Sequence, residues 1–376
     1  MAKILITGDF CQIGRVSNLG KKKEYDLIYN DFFLLFKEND LNITNLECPV
    51  GDFKVPIEKV GPNLRADIDA VAILKYADFN MVTLANNHIM DYGIEGLLNT
   101  LELCKQNNII SVGAGESLTE ARRFINVNID GLKVAILNFA ENEFSTTTAD
   151  EVMGANPLNP IWNYYDIIEA KKQSDYVFVV VHGGHEGYQL PSPRMQDTYR
   201  FFIDAGADVI VGHHPHCYSG YELYHGKPIF YSLGNFLFDS RLGVRKDKWN
   251  EGFCVQFNLT HSEILFSIYP YKQNDDDVGL RKMNEKETED FNCRLNVLNE
   301  IIKNRELLVQ EYEKFVDSRQ RSFLFFLQPY SNKYLRALFN RHLIPDIVTS
   351  TKKRMILNVV RCEAHRDVLL NLLDSK

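Results

Sequence analysis

The sequence predicts an α/β protein in which two mixed β-sheets lie sandwiched between outer helices, followed by a C-terminal helical extension. Three observations carry that expectation. From Lys3 onwards, short apolar runs alternate with helix-period segments, the pattern of a largely parallel sheet covered by helices. Between Tyr218 and Tyr271 the runs turn aromatic and alternating, as antiparallel strands do. Beyond a polar, acidic stretch only helical spacing remains. The expected divisions are a main domain at 1–272, a linker at 273–285 and a helical domain or arm at 286–376.

Taken in order, KILITGD reads as a first strand, YNDFFLLFKEND as an amphipathic helix and LNITNLE as a second strand. A helix over Arg65 to Tyr76, the strand FNMVTLAN and the helix IEGLLNTLELCKQ follow. IISVGAG, FINVNID and LKVAILNFA supply three more strands, with Asp130 and Gly131 marking a hairpin turn. A helix near Tyr164 to Gln173 precedes YVFVVVHGGHE, the most hydrophobic strand, and MQDTYRFFIDAG leads into DVIVGHHPHC. YSGYELYH, KPIFYSLGNF, GFCVQFNLT and EILFSIYPY read as antiparallel strands. In the extension, Pro329 and Pro345 are the expected helix breaks.

Composition removes several function classes. With 45% hydrophobic and 24% charged residues the 376-residue chain has the make-up of an ordinary globular protein. A net charge of -8 without a long basic run gives nucleic acid no electrostatic footing. The opening MAKILITGDF is too short and too polar for a signal peptide, and no stretch approaches the roughly 20 apolar residues of a membrane span. A cytoplasmic location is therefore expected. Seven cysteines without a CxxC pair argue against a disulfide scaffold or a zinc ribbon.

Polar, ligand-capable residues end five of the expected strands: Asp9; Asn45 and Glu47; Asn86, Asn87 and His88; His182; and His214 and His216. In open α/β sheets the carboxyl ends of strands face the ligand crevice, so these groups should share one rim. Pro215 biases His214 towards an extended backbone, which would send His214 and His216 to one side and His213 to the other. Two carboxylates, an amide and three imidazoles exceed the four ligands of a structural zinc. The set suits two divalent ions about 3.5 to 4 Å apart, the clamp used in phosphoryl displacement.

The segments GDFCQIGR (8–15), NLECP (45–49), LANNHIMDYG (84–93), HGGHEGY (182–188), GHHPH (212–216) and SLGNFLFD (232–239) together resemble the poly-gamma-glutamate capsule synthesis, or CapA-type, family. That family sits in the calcineurin-like metallophosphoesterase superfamily, so the resemblance implies a metallophosphoesterase-like four-layer sandwich. It also implies a metal-dependent hydrolase, a phosphoesterase acting by metal-bound hydroxide, in capsule or exopolysaccharide biosynthesis of the poly-gamma-glutamate type. The alternatives are an amide hydrolase or a non-catalytic capsule-assembly protein that keeps the fold.

By motif, the resemblance gives Asp9 to one metal and Glu47 to the bridging position. Asn87, His182 and His214 serve the second metal, and His216 returns to the first. His88 becomes the general acid, and Asp91 either orients its imidazole or caps the helix near Gly93. Arg15 pairs with a substrate anion or forms a surface salt bridge, and Asn235 donates to a substrate oxygen or closes its turn. Asn45 and Glu186 complete the expected substrate contacts, while Lys59 is expected to be solvated. Cys11 stands where the superfamily's Asp-x-His motif carries histidine, as a thiolate ligand or as a buried thiol. The implied cofactors are two divalent ions, manganese, iron or zinc. The implied partner is a small or polymeric anionic substrate; the C-terminal helices, which the resemblance does not cover, are expected to pack on the main domain or to form a homodimer.

Overall fold

A computed structural model describes residues 1–147, 149–240, 245–329 and 331–374. The strands are β1 (Ala2–Cys11), β2 (Leu41–Leu46), β3 (Met81–Thr83), β4 (Ile110–Val112), β5 (Ala114–Gly115), β6 (Ile125–Ile129), β7 (Leu132–Ala140) and β8 (Gly154–Ala155). They continue as β9 (Tyr176–His182), β10 (Val209–His213), β11 (Tyr221–Tyr224), β12 (Lys227–Phe230), β13 (Asn235–Phe238), β14 (Glu251–Leu259), β15 (Ile264–Gln273) and β16 (Leu280–Lys282). One sheet runs β16-β15-β14-β1-β2-β3-β4, with β13 added beside β1, and the other runs β11-β12-β10-β9-β7-β6. Both are mixed: β1 to β4 are parallel, whereas β14 to β16 join antiparallel.

Strand alternation sorts the side chains into layers. Ile4 and Ile6 of β1, Phe178 of β9, and Val209 and Val211 of β10 meet between the sheets. On β9 the intervening Val177, Val179 and Val181 turn outward onto Ile167 and Phe202 of the helices Pro160–Gln173 and Pro193–Ala205. Leu5 and Phe10 turn the other way, into a cluster with Tyr29, Phe36, Ile73 and Leu74. The result is the expected four-layer sandwich of helices, sheet, sheet and helices. The parity that buries Phe178 and Val211 between the sheets also sends His182 and His213 inward at the strand ends.

Three expectations change. YNDFFLLFKEND is not one helix but Asp26–Tyr29, a 3-10 turn at Asn30–Phe32 and Phe33–Lys37. The break lies at Asn30, whose φ is 46° and whose amide donates to the Leu280 carbonyl. Within 273–285, β16 pairs with β15, and Asn274 and Asp275 bind Arg15 through their carbonyls. The helix Glu285–Lys303 starts with a capping box at Asn284 and Glu287, and places Phe291 and Leu295 in the inter-sheet core.

The chain divides into two compact units at Val309 and Gln310. In the second, Arg321 donates to the Phe339 carbonyl (2.7 Å) and lies over that ring, and Phe325 packs on Phe339. Among the described residues no helix is long and apolar enough to cross a membrane.

Candidate metal centre

The crevice is built where β1, β2, β9 and β10 end. Asp9 sits at a register shift in β1, opposite Asn45 of β2 and Asn235 of β13. Gly8 permits that approach, because a Cβ there would lie 1.9 Å from the Gly234 carbonyl oxygen. Asn45 donates to Asp9 Oδ1 (2.7 Å) and stands 3.2 Å from His182 Nδ1, while the His214 backbone N–H donates to Asp9 Oδ2 (3.1 Å).

Two ligand-capable groups emerge, Glu47 with His182 and His214, and Asp9 with Glu47 and His216. Within each group the ligand atoms lie within 4.8 Å of one another, and Glu47 belongs to both. Asn87 joins the first, its Oδ1 3.1 Å from His182 Nε2, which is itself 3.1 Å from His214 Nδ1. In the second, His216 Nδ1 donates to Asn235 Oδ1 (3.0 Å), leaving Nε2 3.4 Å from Glu47 Oε1. The Asn235 amide donates in turn to the His216 and Trp249 carbonyls, which fixes its orientation. Phe238 and Trp249 pack on the His216 ring.

His214 is not extended. Its φ is 97° and that of His216 is 54°, a region rarely adopted by residues other than glycine. The bias imposed by Pro215 yields to the need to bring both imidazoles onto shared carboxylates, the kind of local cost that clusters at functional sites. His213 points across the sandwich, its Nε2 donating to the Thr7 carbonyl (2.8 Å).

The electrostatics are those of a site short of positive charge. Glu47 has no exposed surface, and neither carboxylate oxygen has a hydrogen-bond partner among the described residues. Burial first, then the neighbouring Asp9, pushes its carboxyl well above the usual range. Burial and adjacent imidazoles hold His182 well below its ordinary value and bring His214 down to about 4. Neutral imidazoles, a carboxylate pair and an amide oxygen form a donor set that fits divalent first-row ions. A cation would supply the partner that the buried Glu47 lacks.

At the rim, Asn86 Oδ1 accepts from the backbone N–H groups of His88 and Ile89 and so shapes the turn that presents His88. His88 Nδ1 lies 2.6 Å from Asp91 Oδ2, which also accepts from the Leu64 N–H (2.6 Å). Asp91 therefore orients the imidazole; it does not cap the helix Gly93–Gln106, whose first turn receives no side-chain cap. Burial lowers the His88 pKa, and the bond to Asp91 works against that.

Several residues stand elsewhere than expected. Lys59 is not solvated: its side chain is 4% exposed, pairs with Asp91 and lies 3.1 Å from His88 Nδ1. Arg15 is held bidentately by Asp239 and capped by two carbonyls, so its guanidinium serves an ion pair within the fold and not a substrate anion. Asn45 and Asn235 are buried behind the ligands and position them, which corrects their expected substrate contacts. Glu186, expected at the substrate, is exposed, belongs to neither ligand group, and its charge acts on Glu47, Glu143 and His214. Cys11 is in neither group either; its sulfur lies 3.0 Å from that of Cys48. Sequence reasoning missed Glu143, 3.5 Å from the Asn87 amide and raised by burial, and Trp249 beside His216.

Residues 3–240 match the model of the bacterial capsule synthesis protein family PGA_cap. The chain belongs to that family. It is 36% identical to the PGA biosynthesis protein CapA of Bacillus subtilis over 67% of this chain and 66% of that relative. It is 34% identical to the capsule biosynthesis protein CapA of Bacillus anthracis over 68% of this chain and 63% of that relative. The match to these two family members thus spans slightly less than two thirds of their own length. Among solved structures, a 5'-nucleotidase from Candida albicans aligns with 84% of this chain and 57% of its own, at 13% identity and a TM-score of 0.39.

Proposed function

We propose that this family member is a metal-dependent hydrolase of phosphoesters that acts on an anionic intermediate of capsule or exopolysaccharide synthesis. The observation that carries the reading is Glu47, a buried carboxylate without a hydrogen-bond partner, shared by two groups of ligand-capable side chains. Asp9, Glu47 and His216 would hold one ion, and Glu47, Asn87, His182 and His214 the other. Bound divalent ions would supply Lewis acidity and a water of lowered pKa.

The remaining work falls to the chain's own groups. Asn45 and the His214 N–H hold both Asp9 oxygens in place, and Asn235 fixes the His216 ring. Asp91 accepts from His88 Nδ1, leaving Nε2 to pass a proton to the departing oxygen. Lys59 pairs with the other Asp91 oxygen, Oδ1, and balances its charge beside the His88 ring. Self-association is assigned to the second unit, where Met355, Leu357, Val360 and Leu370 are exposed, and sedimentation of the full chain measures it.

The test is hydrolysis of phosphomonoesters and phosphodiesters by metal-stripped protein reconstituted with manganese, iron or zinc. Turnover restored by an ion and abolished by chelation is expected. Cleavage of gamma-glutamyl amides without phosphoester turnover would replace the phosphoesterase with an amide hydrolase. Tight metal binding without either activity would leave a capsule-assembly protein that retains the fold.

A further inference from the structure

Cys11 and Cys48 lie directly behind the crevice. Cys11 is the last residue of β1, two beyond Asp9, and Cys48 follows Glu47 just past β2. The strands are parallel neighbours paired at Phe10 and Leu46, so the two thiols leave adjacent strand ends together. Both residues have no exposed surface, and their sulfurs are 3.0 Å apart, about 1 Å more than a disulfide bond. No other pair of sulfurs makes such a contact among the described residues. Cys254, also buried, faces the Tyr269 carbonyl, and burial pushes the Cys104 and Cys217 thiols up to about 12, which keeps them protonated and slow to react.

We infer that Cys11 and Cys48 are a modification site, a thiol pair that a peroxide converts to a disulfide across the ends of β1 and β2. Peroxide is the oxidant class small enough to reach thiols that have no exposed surface and sit in the helix-side core behind the crevice. One sulfur attacks a peroxide oxygen, the O–O bond breaks, and sulfenic acid and water result. The second sulfur attacks the first, the S–O bond breaks, and a second water leaves with the remaining proton. Two thiols thus lose two electrons, and one peroxide becomes two waters. The new bond draws together the backbone that carries Asp9 and Glu47. Resting on the metal-centre reading, oxidation therefore weakens ion binding, by about the 10–100-fold seen when a residue supporting a ligand is changed.

The experiment treats the full chain with hydrogen peroxide, then denatures, alkylates, digests and maps the peptides by mass. Exposed Cys293 reports that the oxidant acted. The expected product links the Cys11 and Cys48 peptides with loss of two hydrogens and reverts with dithiothreitol, while Cys104, Cys217 and Cys254 remain alkylatable. Alkylated Cys11 and Cys48 beside oxidised Cys293 would overturn the inference, as would sulfinic acids without a link. Cys48→Ser should abolish the link; if that variant does not fold, Cys11→Ser provides the same control. Metal content is measured on the same samples. A reversible link in protein that binds no ion in either state would leave the thiol pair standing and defeat the metal-centre reading. A link with unchanged ion affinity would overturn the coupling between them.

Discussion

Glu47 and Asp91 are both carboxylates without exposed surface, one on the crevice floor and the other at its rim. Asp91 accepts from the Leu64 N–H, holds His88 and faces the Lys59 ammonium. Glu47 faces the His182 and His216 imidazoles beside Asp9, and its oxygens have no hydrogen-bond partner among the described residues. Burying a charge is costly unless it is paired. The rim meets that cost within the chain, whereas on the proposed reading the floor would be completed by an external cation. The difference separates a carboxylate fully partnered by the chain from one whose oxygens have no hydrogen-bond partner among the described residues.

The sharpest way to break this comparison is Glu47→Ala. It should remove the ligand common to both groups and leave less than half an equivalent of bound metal by elemental analysis, with turnover lost. Next in size, His88→Ala should keep its metal and lose turnover by about 10²- to 10⁴-fold. If His88→Ala lost metal to the same extent as Glu47→Ala, floor and rim would not be separate devices. Asn235→Ala should weaken the His216 ion by about 10- to 100-fold in a chelator titration, because the ring loses its orienting acceptor.

A fourth prediction concerns acid. His214 is depressed from 6.5 to about 4, so the unfolded chain binds the proton more readily. Its contribution to stability is complete above 6.5 and is lost as pH falls through about 4. The metal-free protein should accordingly melt at lower temperature as pH is lowered across that window. The smallest effect belongs to His213→Ala, which should retain full metal content and cost about 1 kcal/mol in denaturant unfolding, for the bond to Thr7.

Much of the fold was legible because its strands announce themselves by apolar runs ending in polar residues. Alternation fixed which side chains face the inter-sheet space, and β9 and β10 follow it without a break. The ligand-capable residues were visible for the same reason, since each stands within a few residues of a strand end. Lys59 was not, because it comes from an aperiodic loop and reaches Asp91 across 32 positions. Arg15 and Asp239 meet across 224 positions, a pairing that no local pattern encodes. The roles of Asn45 and Asn235 depend on β2 and β13 flanking β1, which only strand order reveals. Nor could the backbone of His214 be read from Pro215, because tertiary demands override a local bias there.

β1 has one further consequence, in the order of synthesis. It is made well before two of its neighbours, β13 and β14. At translation rates of about 5–20 residues per second, Asp9 waits roughly 10 to 50 s for Asn235 to exist. During that interval one edge of the central strand has no partner, and the His216 ligand group is unfinished. If the proposed ions bind, they would load into chains complete to β13, and growing cells would carry a pool of newly made, metal-free molecules in proportion to their rate of synthesis.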